Sequence, residues 1–179
     1  RIVHIDGAVF YPGEYPILSK EERVSDIIKR AGGLLPEAYP MASNFIRAGN
    51  SIQLSFQKII DDSRSKENFN VLHGDTIKIS NYTNIVKIYG EVNNPGAFKY
   101  FDNYSVRNYI QLAGGLTVNA EKKEIWVTHP DGRSNQLKQY FIAPKVYDGS
   151  IISVGRKIDS EPFDATEYAN EITVNYLCK

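Results

Sequence analysis

The sequence predicts an α+β fold built from two copies of one small domain. The strongest evidence for this prediction is that three sequence segments recur in the same order, with length changes confined to the regions between them. The blocks pair residues 3–13 with 86–96, 24–34 with 106–116, and 74–79 with 149–154. A repeated order of this kind indicates duplicated structural units. We therefore predict a first domain at residues 1–82, a second at 83–158, and a C-terminal extension at 159–179.

Each copy opens with a predicted β-hairpin. Residues 2–9 and 86–92 are rich in β-branched side chains, which favour strands. Pro12-Gly13 and Pro95-Gly96 then interrupt the pattern. Proline presets φ and glycine accepts positive φ, so this pair predicts a type II turn. A short second strand should follow in each copy, through Tyr15 and Ile17 and through Phe98 and Tyr100.

A helix follows each hairpin, because apolar residues recur at i, i+3, i+4 and i+7. The two stripes are Val24, Ile27, Ile28 and Ala31, and Val106, Tyr109, Ile110 and Ala113. Gly32-Gly33 and Gly114-Gly115 come directly after them, where a left-handed glycine ends a helix. A phosphate-binding loop would precede a helix instead. The glycine pairs are therefore interpreted as C-caps.

A second hairpin and a closing strand complete each unit. In copy one, predicted strands at 45–47 and 52–56 precede a closing strand at 76–80; in copy two they lie at 125–128, 134–137 and 150–154. The predicted order is β-β-α-β-β-β, with one helix across a small mixed sheet. A polar insertion at about 57–70 is peculiar to copy one and is expected to form a solvated loop or a short helix. Residues 81–84 form a linker so short that the two units should pack in a defined relation.

Composition excludes several functions. Lys plus Arg and Asp plus Glu both number 21, so the formal charge is zero and no basic patch predicts nucleic-acid binding. The one cysteine, Cys178, rules out an intrachain disulfide or a CxxC metal site. No apolar run approaches the roughly 20 residues of a membrane-spanning helix. The strand-like pattern at Arg1 suggests that the chain is a piece of a longer protein.

No catalytic or metal-binding constellation emerges. His4, His73 and His129 are scattered, and none belongs to a motif such as HExxH. Asp61-Asp62 lie in a polar stretch without the apolar surroundings that would separate two carboxyl pKa values. Asp131-Gly132 is typical of a turn and lacks the other oxygens of a calcium loop. We predict no enzyme activity, no metal and no cofactor.

Aromatic side chains are the one suggestive class. Twelve Tyr, eight Phe and one Trp offer flat faces for sugar rings or protein partners, although aromatics also favour strands. The candidates for binding a ligand or partner are those in loop-like positions, together with the tryptophan, which is either core or an exposed anchor. They are Tyr11, Tyr100, Phe101, Tyr104 and Trp126.

The motif residues resemble the SLBB module, the soluble-ligand-binding β-grasp domain. Its pattern is a strand ending in Gly-x-Val, a Pro-Gly turn, and a helix ending in Ala-Gly-Gly-Leu. The matching positions are Gly7, Pro12, Gly13, Gly32 and Gly33 in copy one, and Gly90, Pro95, Gly96, Gly114 and Gly115 in copy two. An acidic residue after the closing glycine is kept as Asp75 but replaced by Ser150.

Tandem SLBB modules are similar to the periplasmic part of bacterial outer-membrane exporters of capsule or exopolysaccharide. The resemblance implies a non-enzymatic module that contacts the polysaccharide and an inner-membrane polysaccharide co-polymerase. It also implies a homo-oligomer in the full-length protein, attached to the outer membrane through segments that this chain lacks. A small-ligand or saccharide receptor is the alternative. A redox-flavoprotein subunit is disfavoured, because it would need cysteine clusters and a glycine-rich flavin loop that this sequence lacks.

Overall fold

The computed structural model describes residues 1–138 and 143–158. Each half of the chain folds into one five-stranded sheet, which confirms the prediction of two tandem α+β units. The first unit contains β1 (Ile2–Gly7), β2 (Gly13–Pro16), α1 (Val24–Arg30), β3 (Asn44–Arg47), β4 (Asn50–Ile52), α2 (Phe56–Asp61) and β5 (Thr76–Ile79). The second contains β6 (Ile85–Gly90), β7 (Gly96–Lys99), α3 (Val106–Leu112), β8 (Ala120–Thr128), β9 (Ser134–Gln136) and β10 (Ile151–Arg156).

The two sheets have the same topology. Their strand orders are β2-β1-β5-β3-β4 and β7-β6-β10-β8-β9. The closing strand lies at the centre and runs parallel to the first strand of its unit, while its other neighbour is antiparallel. Each sheet is therefore mixed, as the predicted element order requires.

Each domain has its own hydrophobic core between the helix and the sheet. The predicted helical stripes are buried in both copies, with Val24, Ile27 and Ala31 and their counterparts Val106, Tyr109 and Ala113 all at 0 % exposure. Ile28 and Ile110 are almost as fully enclosed. The 3.6-residue periodicity thus identified the face of each helix that packs on its sheet.

Both glycine pairs end their helices as predicted. Gly32 has a φ of 83°, and its N–H donates to Lys29 O at 3.0 Å. The N–H of Gly33 donates to Ile28 O at 2.9 Å. This pair of bonds is the Schellman motif, which satisfies carbonyls at a helix C-terminus. Gly114 and Gly115 make the same two bonds at the end of α3.

The helix starts differ between the copies. Ser105 caps α3 as expected, because its hydroxyl accepts from the N–H of Asn108. Arg23, a poor capping residue, precedes α1. There the Asp26 carboxylate accepts from the N–H of Arg23 at 3.0 Å, so an acidic residue in the first turn satisfies the exposed amide.

The Pro-Gly turns are not type II, so that prediction is wrong. A type II turn needs φ near +80° at its glycine, yet Gly13 has a φ of 153° and Gly96 is not in the positive region. The chain instead follows a wider loop between the first two strands. In copy one, Tyr11 N–H donates to Ala31 O at 2.9 Å, which ties this loop to the glycine pair after α1.

The polar insertion begins with a short helix, which is one of the two predicted alternatives. α2 begins at Phe56, so the predicted strand at 52–56 is wrong, and β4 ends at Ile52. Phe56 and Ile59 are fully buried on the inner side of α2. Asn68 is also buried, and its amide nitrogen donates to Ser25 Oγ at 2.9 Å. Two apolar anchors and one buried amide therefore hold the insertion on the first domain.

Candidate functional site

Two glycines of the repeated motif permit close contact between neighbouring strands. Gly7 and Gly90 end the first strand of each unit with φ values of 90° and 89°. A Cβ atom at Gly7 would lie 1.9 Å from Ile79 O, and one at Gly90 would lie 2.0 Å from Val154 O. Glycine at these positions therefore lets each first strand turn beside the closing strand.

A buried carboxylate holds the end of the linker to the second domain. Asp148, only 3 % exposed, precedes β10. Its oxygens accept from Thr83 N–H at 2.7 Å, from Thr83 Oγ1 at 2.9 Å and from Ile85 N–H at 3.0 Å. Hydrogen bonds to a charged acceptor are stronger than neutral ones. Asp148 thus anchors both the linker and the start of β6.

The other end of the linker is bound to the first domain. Asn81 forms an isolated antiparallel bridge with Ala38, and Tyr82 N–H donates to Glu37 O at 3.2 Å. The ring of Tyr82 stacks on that of Tyr39 with centroids 4.4 Å apart. The first half of the linker is therefore bound to the first domain and the second half to the second domain.

Sequence reasoning missed this linker clasp, which comprises Tyr39, Tyr82, Thr83 and Asp148. The repeat held a signal for it, since Asp148 occupies the position that His73 has in copy one. His73 Nδ1 accepts from Ile2 N–H at 3.1 Å, as Asp148 accepts from Ile85. A side-chain acceptor at this position thus serves the first strand of both domains.

Removing the Asp148 carboxylate should loosen the clasp. We expect Asp148→Ala to destabilise the second domain by about 3 kcal/mol, because three backbone and hydroxyl donors lose a charged acceptor. Urea unfolding followed by Trp126 fluorescence measures this. The control is Asp131→Ala, which removes a partly buried turn carboxylate that pairs with the exposed Arg133 and should cost under about 1 kcal/mol. Equal effects of the two variants would contradict the clasp.

The clasp surrounds its carboxylate with phenols. Burial, followed by the Asp148 carboxylate, raises the pKa of Tyr39 far above its usual value. Burial and the hydrogen bond to Asp102 raise the pKa of Tyr100 to about 12. Both phenols therefore stay neutral at physiological pH. They act as hydrogen-bond donors and packing groups rather than as bases.

The five aromatic candidates lie at three places. Tyr11 is 67 % exposed on the loop after β1, and Trp126 is 38 % exposed on β8. Phe101 and Tyr104 stack with centroids 4.7 Å apart just before α3. Tyr100 is half-buried against the second core, with its hydroxyl donating to Asp102 Oδ1 at 3.2 Å. Whether these residues bind a ligand or partner stays a prediction.

A cleft of about 370 Å³ lies between the two domains. Gln53, Ser55 and other residues around the start of α2 line one side, and the 131–133 turn lines the other. Lys58 Nζ lies 2.9 Å from Glu67 Oε1, and this bond with the Ser55 amide holds the Glu67 pKa below its usual value. The cleft therefore offers a mixed polar and charged lining.

Family comparison explains the shared geometry of the two units. The SLBB domain matches residues 2–54 and 85–137, together more than half of the chain. The chain belongs to the SLBB domain family. Each match runs from the first strand of a unit to its second hairpin, and includes the motif glycines. A comparison with curated proteins returned no match.

The two SLBB domains differ in how they fix the turn before the closing strand. In the first, Asp75 accepts from Leu72 N–H at 2.6 Å and pairs with Arg47, whose Nη2 is 2.7 Å from Oδ2. In the second, Ser150 Oγ accepts from Tyr147 N–H at 3.0 Å. Ser150 preserves the hydrogen bond to the turn N–H but cannot form the ion pair. The ion pair between a carboxylate and an arginine at this turn is therefore specific to the first SLBB domain.

His129 occupies the place of Arg47 in the second SLBB domain. Its Nε2 is bonded to Asn135 Nδ2 at 2.8 Å, and its ring meets Tyr147 edge-on. Within the described part of the chain, Nδ1 is buried without a hydrogen-bond partner. Burial lowers the pKa of His129 most; the Asp131 carboxylate raises it slightly and the Arg133 guanidinium lowers it slightly. At neutral pH the folded domain therefore favours the neutral imidazole.

The second SLBB domain should lose stability in mild acid. A folded pKa below the ordinary 6.5 means that the unfolded chain binds the proton more readily. The unfolding free energy is therefore expected to fall as the pH drops below about 6.5. Urea titrations between about pH 7.5 and 5 measure this slope. His129→Gln should flatten it, and an unchanged slope would show that another group is responsible.

SLBB is a binding or interaction domain family rather than an enzyme family. Over residues 1–138 and 143–158, no group of three or more His, Cys, Asp or Glu is placed to hold a metal ion. No helix in the same ranges is long and apolar enough to cross a membrane. Cys178 and the predicted extension at 159–179 lie outside the described residues.

Proposed function

We propose that this chain is the periplasmic tandem SLBB module of a bacterial capsule or exopolysaccharide export protein. The observation that carries the proposal is the pair of SLBB domains joined by a linker that is bound at both ends. Such a unit presents two related surfaces at a set spacing. Assembly proteins need that property, whereas a catalyst needs convergent reactive groups.

The proposed role is structural. In the full-length protein, equivalent SLBB surfaces of neighbouring subunits would meet head to tail and close a ring. The ring would line the polysaccharide path and contact an inner-membrane polysaccharide co-polymerase. Segments outside this chain would attach it to the outer membrane. The motif glycines and the clasp support this role because they make each surface rigid, which lowers the cost of ordering it on association.

Export in the source bacterium tests the proposal. Deleting the gene should abolish surface polysaccharide while polymer still accumulates inside the cell. The full-length gene should restore export, and a version carrying Asp148→Ala should restore it less well, because the relation between the domains is loosened. Normal surface polysaccharide in the deletion strain would overturn the proposal.

A small-ligand or saccharide receptor is the second candidate function. The cleft of about 370 Å³ between the domains and the exposed aromatic pair Phe101 and Tyr104 favour it. Ligand sites are usually concave and carry polar groups that orient the ligand, and the lining of this cleft offers such groups. Calorimetry against capsule oligosaccharides separates the two functions. Micromolar affinity with a fixed stoichiometry that Phe101→Ala abolishes supports the receptor. No heat of binding, or an affinity that Phe101→Ala leaves unchanged, supports the structural role.

A further inference from the structure

Three residues form a row across the open face of the second sheet. In the pairing of β10 with its neighbours, Ser153 lies opposite Tyr89 of β6 and opposite Trp126 of β8. Paired residues in a sheet project from the same face. The two aromatics therefore flank one small side chain on the central strand.

This row faces away from the core. Ile88, Ile152 and Val127, each adjacent to a member of the row, are all at 0 % exposure in the core. Tyr89 is 48 % exposed and Trp126 is 38 % exposed. The row consequently presents two aromatic side chains to solvent.

The indole of Trp126 is held in place. Its Nε1 donates to Glu124 Oε2 at 3.0 Å. Gly155 lies beside Glu124, and a Cβ atom there would come within 2.6 Å of Glu124 Cβ. The absence of a side chain at Gly155 thus makes room for the residue that orients the tryptophan, which reduces the entropy lost on binding.

The first SLBB domain lacks this arrangement. Lys78 of its central strand lies opposite Asp6 of β1 and opposite Asn44 of β3, at the positions of Ser153, Tyr89 and Trp126. Two charged side chains and an amide therefore replace the aromatic row. Because the backbone topology is shared, the difference belongs to the side chains alone.

We propose that the row Tyr89-Ser153-Trp126 binds an extended polysaccharide chain, with each aromatic ring stacking on one sugar. Two strand spacings place the backbones of Tyr89 and Trp126 about 10 Å apart. This matches the repeat of two pyranose units in an extended glycan, and Ser153 leaves the space between them open. The exposed acid and base on the same face, Glu124 and Lys87, are positioned at its margins to bond sugar hydroxyls.

The size of the row favours a glycan over a protein. Each ring exposes on the order of 100 Å², whereas a stable protein partner needs about 800 Å² on each side. In the neighbouring row, the outer positions Lys87 and Thr128 are polar and flank the half-buried Ile151. A narrow aromatic strip on a polar face suits a single sugar chain.

The chain provides its own reporter, because Trp126 is its one tryptophan. Cellohexaose, maltohexaose and a hyaluronan hexasaccharide are titrated while Trp126 emission and its quenching by acrylamide are followed. We expect at least one of them to shift the emission and to protect the indole from acrylamide. Emission that changes with protein concentration in the absence of sugar would point to self-association and overturn the inference.

Three variants give the inference its controls. Tyr89→Ala should weaken the sugar response about tenfold, while Tyr89→Phe, which keeps the ring, should retain most of it. Asp6→Ala, at the same position of the first SLBB domain, should leave the response unchanged. Equal affinities for Tyr89→Ala and Asp6→Ala would overturn the row as the binding site.

The inference rests on the proposed role in polysaccharide export, but different results would overturn the glycan-binding row and the export role. No Trp126 response to the three oligosaccharides or to the polymer purified from the source bacterium would overturn the row. Restored export by a full-length gene would still support the export role in that case. A sugar response together with normal export in the deletion strain would support the row and overturn the export role.

Discussion

Replacing Gly90 with alanine is expected to destabilise the second SLBB domain severely. The new Cβ atom would lie 2.0 Å from Val154 O, a main-chain atom of the central strand that cannot move without breaking the sheet. The φ of 89° adds further strain for a non-glycine residue. The combined cost should exceed about 4 kcal/mol, a large part of the roughly 5 to 15 kcal/mol that stabilises a domain.

Gly115→Ala is the matched control. Gly115 has a nearly equal φ of 86°, but its nearest neighbour would lie 3.9 Å from the new Cβ atom. That variant should lose only about 1 kcal/mol from backbone strain. Urea unfolding followed by Trp126 fluorescence reports on the second domain. Similar stabilities of the two variants would contradict the close strand contact at Gly90.

Truncating the helical stripes should produce the second large effect. Ile28→Ala and Ile110→Ala each remove a buried side chain from the interface between helix and sheet, at 5 % and 8 % exposure. Each should cost about 2 to 5 kcal/mol through lost burial and the cavity left behind. The two losses should be similar because the positions are equivalent in the repeat.

Thermal unfolding of the two single variants and of the double variant measures these stability losses. Ile110→Ala should reduce the stability reported by Trp126, while Ile28→Ala should act mainly on the first domain and appear in the far-ultraviolet circular dichroism. The control Leu112→Ala alters an exposed side chain of α3 and should change little. A smaller effect of Ile110→Ala than of Leu112→Ala would contradict the assignment of the buried stripe.

Features set by neighbours along the chain were predictable from the sequence. The burial of Ile27 and Tyr109 follows from helical spacing, and the left-handed Gly32 and Gly114 follow from their place after a helix. Because every such signal occurs twice, the repeat made the fold class predictable.

Features set by distant contacts were not predictable in the same way. Pro12-Gly13 does not form a tight turn, because hydrogen bonds to the end of α1 hold the preceding loop. Phe56 starts a helix rather than ending a strand, since its side chain packs into the first core. Local propensity alone does not reveal either packing contact.

The candidate site was predicted only in part. Trp126 was identified because it alternates with Ile125 and Val127, but Tyr89 becomes its neighbour only through the pairing of β6 and β8 with β10. Likewise Asp148 meets Thr83 across a sequence separation of 65 residues. Such relations depend on strand register, which the sequence pattern leaves open.

Light scattering on the full-length protein in detergent tests the central claim most directly. We expect a closed cyclic oligomer of the full-length protein, in which the two SLBB surfaces of neighbouring subunits meet head to tail. We expect the SLBB pair alone to be a monomer or a weak oligomer, on the proposal that each of its contacts between subunits is smaller than the roughly 1,200 Å² of a stable complex. A full-length protein that stays monomeric would contradict the account.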